Sequence, residues 1–296
     1  MKKSKKNFAN RITKMDIVLF IILVVLAVAA IFPFYYVVLL SFADNVSYAQ
    51  HPLYLLPYSF DLTGYKSLFE DSGFFRSVVV SVFVTVVGTC INMFLSVTGA
   101  YVLSKRRLVG RKIFLNMILF TMLFSGGLIP TYLVGKSLGL VNNIFAMILP
   151  NAISTYYLII MKNYFMSLPE SLMEAARIDG ANEMMIMVKI ALPISVPFLA
   201  TFFLFYAVER WNEWYWANLY INKSALRPLQ IYLRGVLIDM NNTLNDIAQQ
   251  FASERQVNST AVRMASIVVA TVPVLCVYPF VQKHFVKGVM IGGIKE

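Results

Sequence analysis

The sequence predicts an all-α polytopic membrane protein, and its composition and its uncharged stretches support this fold class. Of the 296 residues, 58% are hydrophobic and only 14% are charged, and the mean hydropathy is +0.67, which is more apolar surface than a water-soluble core could bury. Six stretches without Asp, Glu, Lys, Arg or His are each long enough for a helix to cross a hydrocarbon layer of about 30 Å. These stretches are 17–43, 77–103, 113–135, 137–161, 190–208 and 264–282.

The first apolar stretch, 17–43, follows a basic tail that contains six Lys and Arg residues. A basic tail before an apolar run is also typical of a signal peptide, but this run is too long and lacks a small-residue cleavage site. We therefore expect it to remain as the first of six transmembrane helices.

The distribution of charge predicts the orientation of the chain. The 26 basic and 15 acidic residues give a net charge of +11. With the N-terminus in the cytoplasm, both tails and the loops 104–112 and 162–189 carry the whole excess, as the positive-inside rule requires. We expect both termini in the cytoplasm. The excess of basic residues is explained by this orientation and requires no nucleic-acid partner.

The six spans hold no ionisable residue, which argues against a proton-driven carrier and an intramembrane hydrolase. The second span carries a small, polar stripe that fits either helix packing or a pathway for a polar solute. The stripe consists of Ser81, Thr85, Gly88, Asn92, Ser96 and Gly99. Breaks at 125–127 and at Pro150-Asn151 favour a pathway, because broken helices persist where protein or a wet cavity satisfies their backbone. Asn92 and Asn151 are candidate pathway residues.

All three tryptophans lie just after the fifth span. If the helix continues, Trp211, Tyr215 and Asn218 share a face. Such a cluster fits either an interfacial aromatic belt or a carbohydrate platform, in which rings stack on sugar while amides and carboxylates bond its hydroxyls. The candidate substrate residues in this segment are Trp211, Asn212, Glu213, Trp214 and Tyr215.

The loop 162–189 is predicted to contain two short helices. Ser167-x-x-Glu170 has the form of a capping box, so a helix should begin there. It should end near Gly180, because glycine suits a C-terminal cap. A second short helix, Asn182 to Lys189, would then lead into the fifth span.

The same loop resembles a known family. Glu174-Ala175-Ala176, then Gly180, then Ile190-x-Leu192-Pro193 is similar to the EAA signature of permease subunits of bacterial ATP-binding-cassette importers. The resemblance implies a type I importer permease fold in the bacterial cytoplasmic membrane, with this loop docking on the ATPase. The implied coupling residues are Glu170, Glu174, Ala175, Ala176, Asp179, Gly180 and Met187, where Met187 replaces a common aromatic residue.

Most of the chain resembles the carbohydrate-uptake, maltose-type branch of that family, through residues 211–213, 263–265 and 285–293. Residues 124–130 resemble its subgroup for complex oligosaccharides and polysaccharide fragments. The resemblance implies a second, unlike permease, an ATPase pair, an extracytoplasmic solute-binding lipoprotein and a sugar substrate. Loop 209–263 would face the binding protein, and 1–296 would form one permease domain.

The chain itself is predicted to be non-catalytic and free of cofactors and metals, because it lacks a Walker A sequence. ATP and Mg would be bound by the partner ATPase. Three alternatives remain open: a stand-alone channel or facilitator, an importer permease for a non-sugar solute, and a membrane enzyme. The enzyme would need paired carboxylates such as Glu209 and Glu213, which have no metal ligands near them in the sequence.

Overall fold

The computed structural model describes residues 14–51, 53–236 and 259–292. These ranges form helices and connecting segments without a strand, which confirms the predicted all-helical class. The helices are α1 (Lys14–Ser41), α2 (Asn45–Gln50), α3 (Thr63–Glu70), α4 (Ser72–Ser104), α5 (Arg111–Leu123), α6 (Leu128–Ser137), α7 (Thr155–Ser167), α8 (Glu170–Ile178), α9 (Glu183–Ile186), α10 (Leu192–Trp211), α11 (Tyr215–Tyr220), α12 (229–236) and α13 (Ser259–Gly292).

The basic N-terminal tail, much of the loop 209–263 and the last four residues lie outside the described ranges. The described residues divide into two compact units, one with residues 14–68 and 259–268, the other with residues 69–236 and 269–292.

Among the described residues, three helical runs are long and apolar enough to cross a membrane: α1, α4 and Glu183–Tyr220. The pair α5 and α6 passes the same test together, but it is bent by 119° at the predicted glycine break. The predicted span over 137–161 is wrong, because turns and one short 3-10 helix occupy residues 138–154. Gly139 and Asn142 have φ values of 73° and 56°, a left-handed conformation that cannot continue an α-helix.

In the first unit, residues 14–35 of α1 are exposed along their apolar surface. A small core forms at the end of this helix from Leu39, Leu40, Ala43 and Tyr54. Asp61 accepts hydrogen bonds from the backbone N–H and the hydroxyl of Thr63 at 2.9 and 2.6 Å. These bonds hold the pKa of Asp61 below its usual value.

In the second unit, α4, α7 and α10 pack around a shared apolar core. Its buried residues include Val97, Ala100, Tyr101, Leu158, Met161, Phe165, Phe202 and Tyr206. The hydroxyl of the fully buried Tyr206 lies 2.7 Å from Oγ of Ser96 and accepts the N–H of Ser154 at 3.1 Å. Tyr206 therefore ties α10 to α4 and to the start of α7.

The predicted capping box is wrong. The hydroxyl of Ser167 donates to the carbonyl of Tyr164 at 2.8 Å within α7, and Pro169 is the residue before α8. Helix α7 runs through Ser167, so the connection between helices begins only at Leu168. The second predicted short helix is continuous with the fifth span, because a π-helix, Met187–Ala191, joins α9 to α10.

Candidate functional site

The carboxyl end of α10 is anchored by Arg210, which is 3% exposed. Its Nη1 donates to the carbonyl of Met147 at 2.6 Å. Its Nη2 donates to the carbonyls of Ile148, at 3.3 Å, and Asn151. The same Nη2 donates to Oδ1 of Asn92 in α4, at 3.3 Å. One guanidinium group therefore connects α10 to α4 and to the non-helical segment between α6 and α7.

These bonds explain how a non-helical segment persists in an apolar part of the chain. Backbone carbonyls without helical partners are costly away from water unless other groups bond to them. Arg210 supplies those bonds near Pro150, and Oδ1 of Asn142 accepts the N–H groups of Asn222 and Lys223 at 2.8 and 3.0 Å. The break that the sequence indicates at Pro150 is thus stabilised by residues far away in the sequence.

The charge of Arg210 is balanced by Glu213, whose Oε2 lies 3.8 Å from Nη1. Oε1 of Glu213 accepts the N–H of Trp216 at 2.8 Å. Within the described ranges, Nε of Arg210 and Nδ2 of Asn92 have no hydrogen-bond partner. Arg210 is not among the residues predicted for the site, and only its neighbour Glu213 in the sequence gave a signal, as an opposite charge three residues further on.

A cavity of about 750 Å³ lies beside this end of α10. Five aromatic residues, three aliphatic residues, two asparagines and two glutamates line it: Asn151, Tyr157, Leu204, Phe205, Val208, Glu209, Asn212, Glu213, Trp214, Tyr215, Trp216 and Val274. Trp214 and Tyr215 are each 46% exposed, with ring centroids 6.0 Å apart. Rings beside amide and carboxylate groups suit a ligand with apolar C–H faces and hydroxyls.

Five of the seven predicted substrate residues line this cavity, namely Asn151, Asn212, Glu213, Trp214 and Tyr215. The other two belong to the packing around it: Asn92 is fully buried against Arg210, and the indole N–H of Trp211 donates to the carbonyl of Ala270 at 3.0 Å. A contact of any of these residues with substrate stays a prediction.

The fifth helix does not continue through Asn218, so Trp211, Tyr215 and Asn218 do not share a helix face. Helix α10 ends at Trp211, and α11 begins only at Tyr215. The side chain of Asn212 donates back to the carbonyl of Val208 at 2.9 Å, which ends the helix. The break separates Trp211, which is buried, from Trp214 and Tyr215, which face the cavity.

At the other end of the helical run, α8 and α9 form a knob of residues 170–186. All of α8 is described, and within it only Met173 is buried. Glu170, Glu174 and Ala175 are exposed, and the apolar side chain of Ile178 is 85% exposed. The exposed face of the knob therefore combines carboxylates with uncovered apolar surface, which is typical of a docking site.

Gly180 ends α8, as the sequence predicts. Its φ is 85°, and the N–H groups of Gly180 and Ala181 donate to the carbonyls of Arg177 and Ala176 at 3.0 and 2.9 Å. This is a Schellman cap, which requires a left-handed residue at that position.

Of the remaining predicted coupling residues, Ala176 is half-buried and Asp179 is exposed. Met187 is 7% exposed and belongs to the core that α4, α7 and α10 share. A direct contact of Met187 with a docked partner is therefore not expected. Among the described residues there is also no group of His, Cys, Asp and Glu that could hold a metal ion.

The chain is similar to known membrane transport proteins over most of its length. Residues 84–291 match the family model described as binding-protein-dependent transport system inner membrane component. The chain is 49% identical to Protein LplC of Bacillus subtilis (strain 168), with 90% of this chain and 89% of that protein covered. It is 45% identical to the polygalacturonan/rhamnogalacturonan transport system permease protein YtcP of the same strain, with coverage of 95% and 98%.

Two solved structures share the fold. A chain from the crystal structure of a bacterial ABC transporter involved in the import of the acidic polysaccharide alginate matches with a TM-score of 0.84 and 35% identity, over 92% of this chain and 96% of that chain. A chain of the bacterial alginate ABC transporter in complex with alginate pentasaccharide-bound periplasmic protein matches with a TM-score of 0.56 and 15% identity, over 90% and 93%. The second likeness concerns the fold alone.

Proposed function

The chain belongs to the family of binding-protein-dependent transport system inner membrane components, and from this membership we propose that it is a permease subunit that carries an oligosaccharide into a bacterium. The membership confirms the family resemblance predicted from the EAA signature. The relatives that are named for polygalacturonan, rhamnogalacturonan and alginate support a fragment of a polysaccharide as the substrate.

The observation that carries the carbohydrate proposal is the lining of the cavity beside α10. Trp214 and Tyr215 expose ring surface, and Asn151 and Asn212 offer amide groups within the same cavity. Sugars are bound in this way, because rings cover their C–H faces while polar groups bond their hydroxyls.

The mechanism we propose is alternating access driven by a separate ATPase that binds ATP and Mg. The exposed face of the knob, with Glu174, Ala175 and Ile178, would dock on that ATPase. When the ATPase dimer closes, the knob would move and the helices joined to it would reorient the cavity. A second permease and an extracytoplasmic binding lipoprotein would complete the complex. This chain performs no covalent step.

The experiment is uptake by the complex that copurifies with this chain from its native membrane, reconstituted in liposomes with its binding protein. The probes are labelled oligogalacturonides and alginate oligosaccharides, with maltooligosaccharides and an amino-acid mixture for comparison. We expect ATP-dependent uptake of an oligosaccharide. Downhill flux by this chain without an ATPase would overturn the proposal in favour of a facilitator, and uptake of amino acids alone would overturn the substrate class.

Two variants test the knob in the same assay. Glu174→Ala and Gly180→Leu should leave the chain in the membrane but lower uptake, because the docking face or the left-handed cap is altered. Ser171→Ala is the matched control, since Ser171 is exposed on the same helix. Normal uptake by both variants would contradict the coupling role of the knob.

A further inference from the structure

An ionic cluster joins the knob to α4. Glu183, the first residue of α9, accepts a hydrogen bond from Nε of Arg177 in α8, at 2.8 Å, through Oε1. Its Oε2 lies 3.0 Å from Nζ of Lys105, which follows α4, and accepts the hydroxyl of Tyr101 at 3.3 Å. The carboxylate of Glu183 therefore contacts three side chains: Arg177 in α8, Tyr101 in α4, and Lys105 directly after α4.

Lys105 strengthens this connection with two further contacts. Its Nζ lies 4.1 Å from the centroid of the Tyr101 ring and 3.7 Å from the sulfur of Met173. Met173 is the buried residue of α8. The contacts of Lys105 therefore reach both helices of the knob, and they are made from the end of the helix that also carries Asn92.

The knob is joined to the two long helices in different ways. It is continuous with α10 through the π-helix Met187–Ala191, so a movement of α9 reaches α10 along the backbone. The knob has no such direct backbone connection to α4, because Lys105 and Glu183 lie far apart in the chain. The polar contacts between the knob and α4 are made by the side chains of Lys105 and Tyr101.

We propose that Glu183 is a positioning residue that makes α4 follow the knob, so that α4 and α10 move together when the ATPase closes. The inference rests on the proposed function and adds the route by which the movement reaches α4. Without Glu183, the knob would still dock and still move α10. The end of α4 beyond Ser96, which the bonds from Tyr206 and Arg210 do not reach, would be held to α10 by apolar packing alone and would lag. The cavity would then reorient incompletely, and ATP would be hydrolysed without transport.

The cluster is exposed enough to be removed without unfolding the chain. The side chains of Lys105 and Glu183 are 22% and 54% exposed, and exposed ion pairs contribute little to stability because water replaces their partners. The hydrogen bond from Arg177 to Glu183 raises the pKa of Arg177 and lowers the pKa of Glu183, so both members of the pair are charged at neutral pH.

The test measures ATP hydrolysis and oligogalacturonide uptake together in the reconstituted complex, and takes their ratio. Glu183→Gln and Lys105→Met should each lower uptake per ATP by about two- to thirty-fold, with hydrolysis retained. The double variant should lose less than the product of the two single losses, because both substitutions remove the contact between Lys105 and Glu183. Lys105→Arg keeps the charge and should restore most of the ratio. Lys112→Met, in the first turn of α5 and exposed, should behave as the wild type.

Three outcomes would overturn the inference. An unchanged ratio in Glu183→Gln would show that α4 follows the knob by other contacts. Additive losses in the double variant would show that the two residues act separately. Loss of the ATPase from the purified Glu183→Gln complex would place the residue at the docking contact instead. In each case a transporting wild-type complex keeps the proposed function intact, whereas a wild-type complex without ATP-dependent uptake would overturn the proposed function itself.

Discussion

The helical run from Glu183 to Trp211 carries an ionic cluster at each end, and the two clusters differ in their exposure to water. Arg210 is 3% exposed and Glu213 is 9% exposed. At the other end, the side chain of Glu183 is 54% exposed. Each cluster bonds α10 or its extension to α4, the first through Asn92 and the second through Lys105.

The difference in exposure separates structural from mechanical roles. Arg210 donates to three backbone carbonyls, and two of them belong to the fully buried residues Met147 and Ile148. Its loss therefore leaves unpaired buried groups, which are costly. The loss of Glu183 exposes Lys105 and Arg177 to solvent, which pairs with them at little cost. A cluster that only links moving parts can lie at the surface, where it contributes little to stability, whereas a cluster that keeps a broken span in shape belongs in the interior.

The largest expected effect is that of Arg210→Met. The substitution should lower the free energy of unfolding by about 3–5 kcal/mol, because it leaves Glu213 buried without its cation and the carbonyl of Met147 without its donor. Thermal unfolding of the purified complex in detergent measures the effect. Arg234→Met is the matched control, since Arg234 is exposed and stacks 5.3 Å above the Trp214 ring. Equal melting temperatures for the two variants would contradict the anchoring role.

The next effect concerns the glycine that makes room for Arg210. A Cβ atom on Gly88 would lie 3.0 Å from Cδ of Arg210, and the bonded guanidinium cannot withdraw. Gly88→Ala should therefore lower the free energy of unfolding by about 1–3 kcal/mol, which is typical of an overpacked core.

Gly99→Ala is the control for this substitution on the same helix. Its Cβ would meet only the end of Leu158, at 3.3 Å, and alanine gains up to about 1 kcal/mol of helix propensity. The Gly88→Ala variant should therefore melt at a lower temperature than the Gly99→Ala variant. A Gly88→Ala variant as stable as Gly99→Ala would show that Arg210 has room to move.

A smaller effect is expected for Tyr206→Phe, which removes one hydroxyl between the two ionic clusters. The N–H of Ser154 and the hydroxyl of Ser96 each lose a partner, which should cost about 1 kcal/mol. Tyr156→Phe is the control, because Tyr156 is 58% exposed. A loss of stability as large as that of Arg210→Met would mean that Tyr206 contributes as much as Arg210 to holding α4, α7 and α10 together.

The knob could be predicted in part from the sequence, whereas neither ionic cluster could. The left-handed cap at Gly180 follows from a local pattern, and the permease family follows from the spacing of that glycine to Leu192-Pro193. The bonds from Arg210 to Met147 and Asn92 join residues that are far apart in the chain, and no local periodicity indicates them.

The same reason explains the wrong span over 137–161. Hydropathy measures only side chains, and this stretch is predominantly apolar and has no Asp, Glu, Lys, Arg or His. Whether its backbone could leave the helix depended on partners elsewhere in the chain. Arg210 donates to the carbonyl of Met147, and the carbonyl of Tyr220 accepts the N–H of Asn142 at 2.9 Å. The proline and glycine signals were present in the sequence, but the groups that compensate for the break were not evident from it.

The smallest expected effect on stability, and the one that sharpens the comparison most, is that of Glu183→Gln. It should lower the free energy of unfolding by only about 0–1 kcal/mol, because solvent replaces the lost partners of Lys105 and Arg177. The melting experiment used for Arg210→Met measures it in the same detergent. A small loss of stability together with a large loss of uptake per ATP would show that the Glu183 cluster transmits movement, whereas the Arg210 cluster stabilises the fold. If Glu183→Gln lowered the melting temperature as much as Arg210→Met does, both clusters would be needed for stability. The loss of uptake per ATP could then not be assigned to a failure to transmit movement.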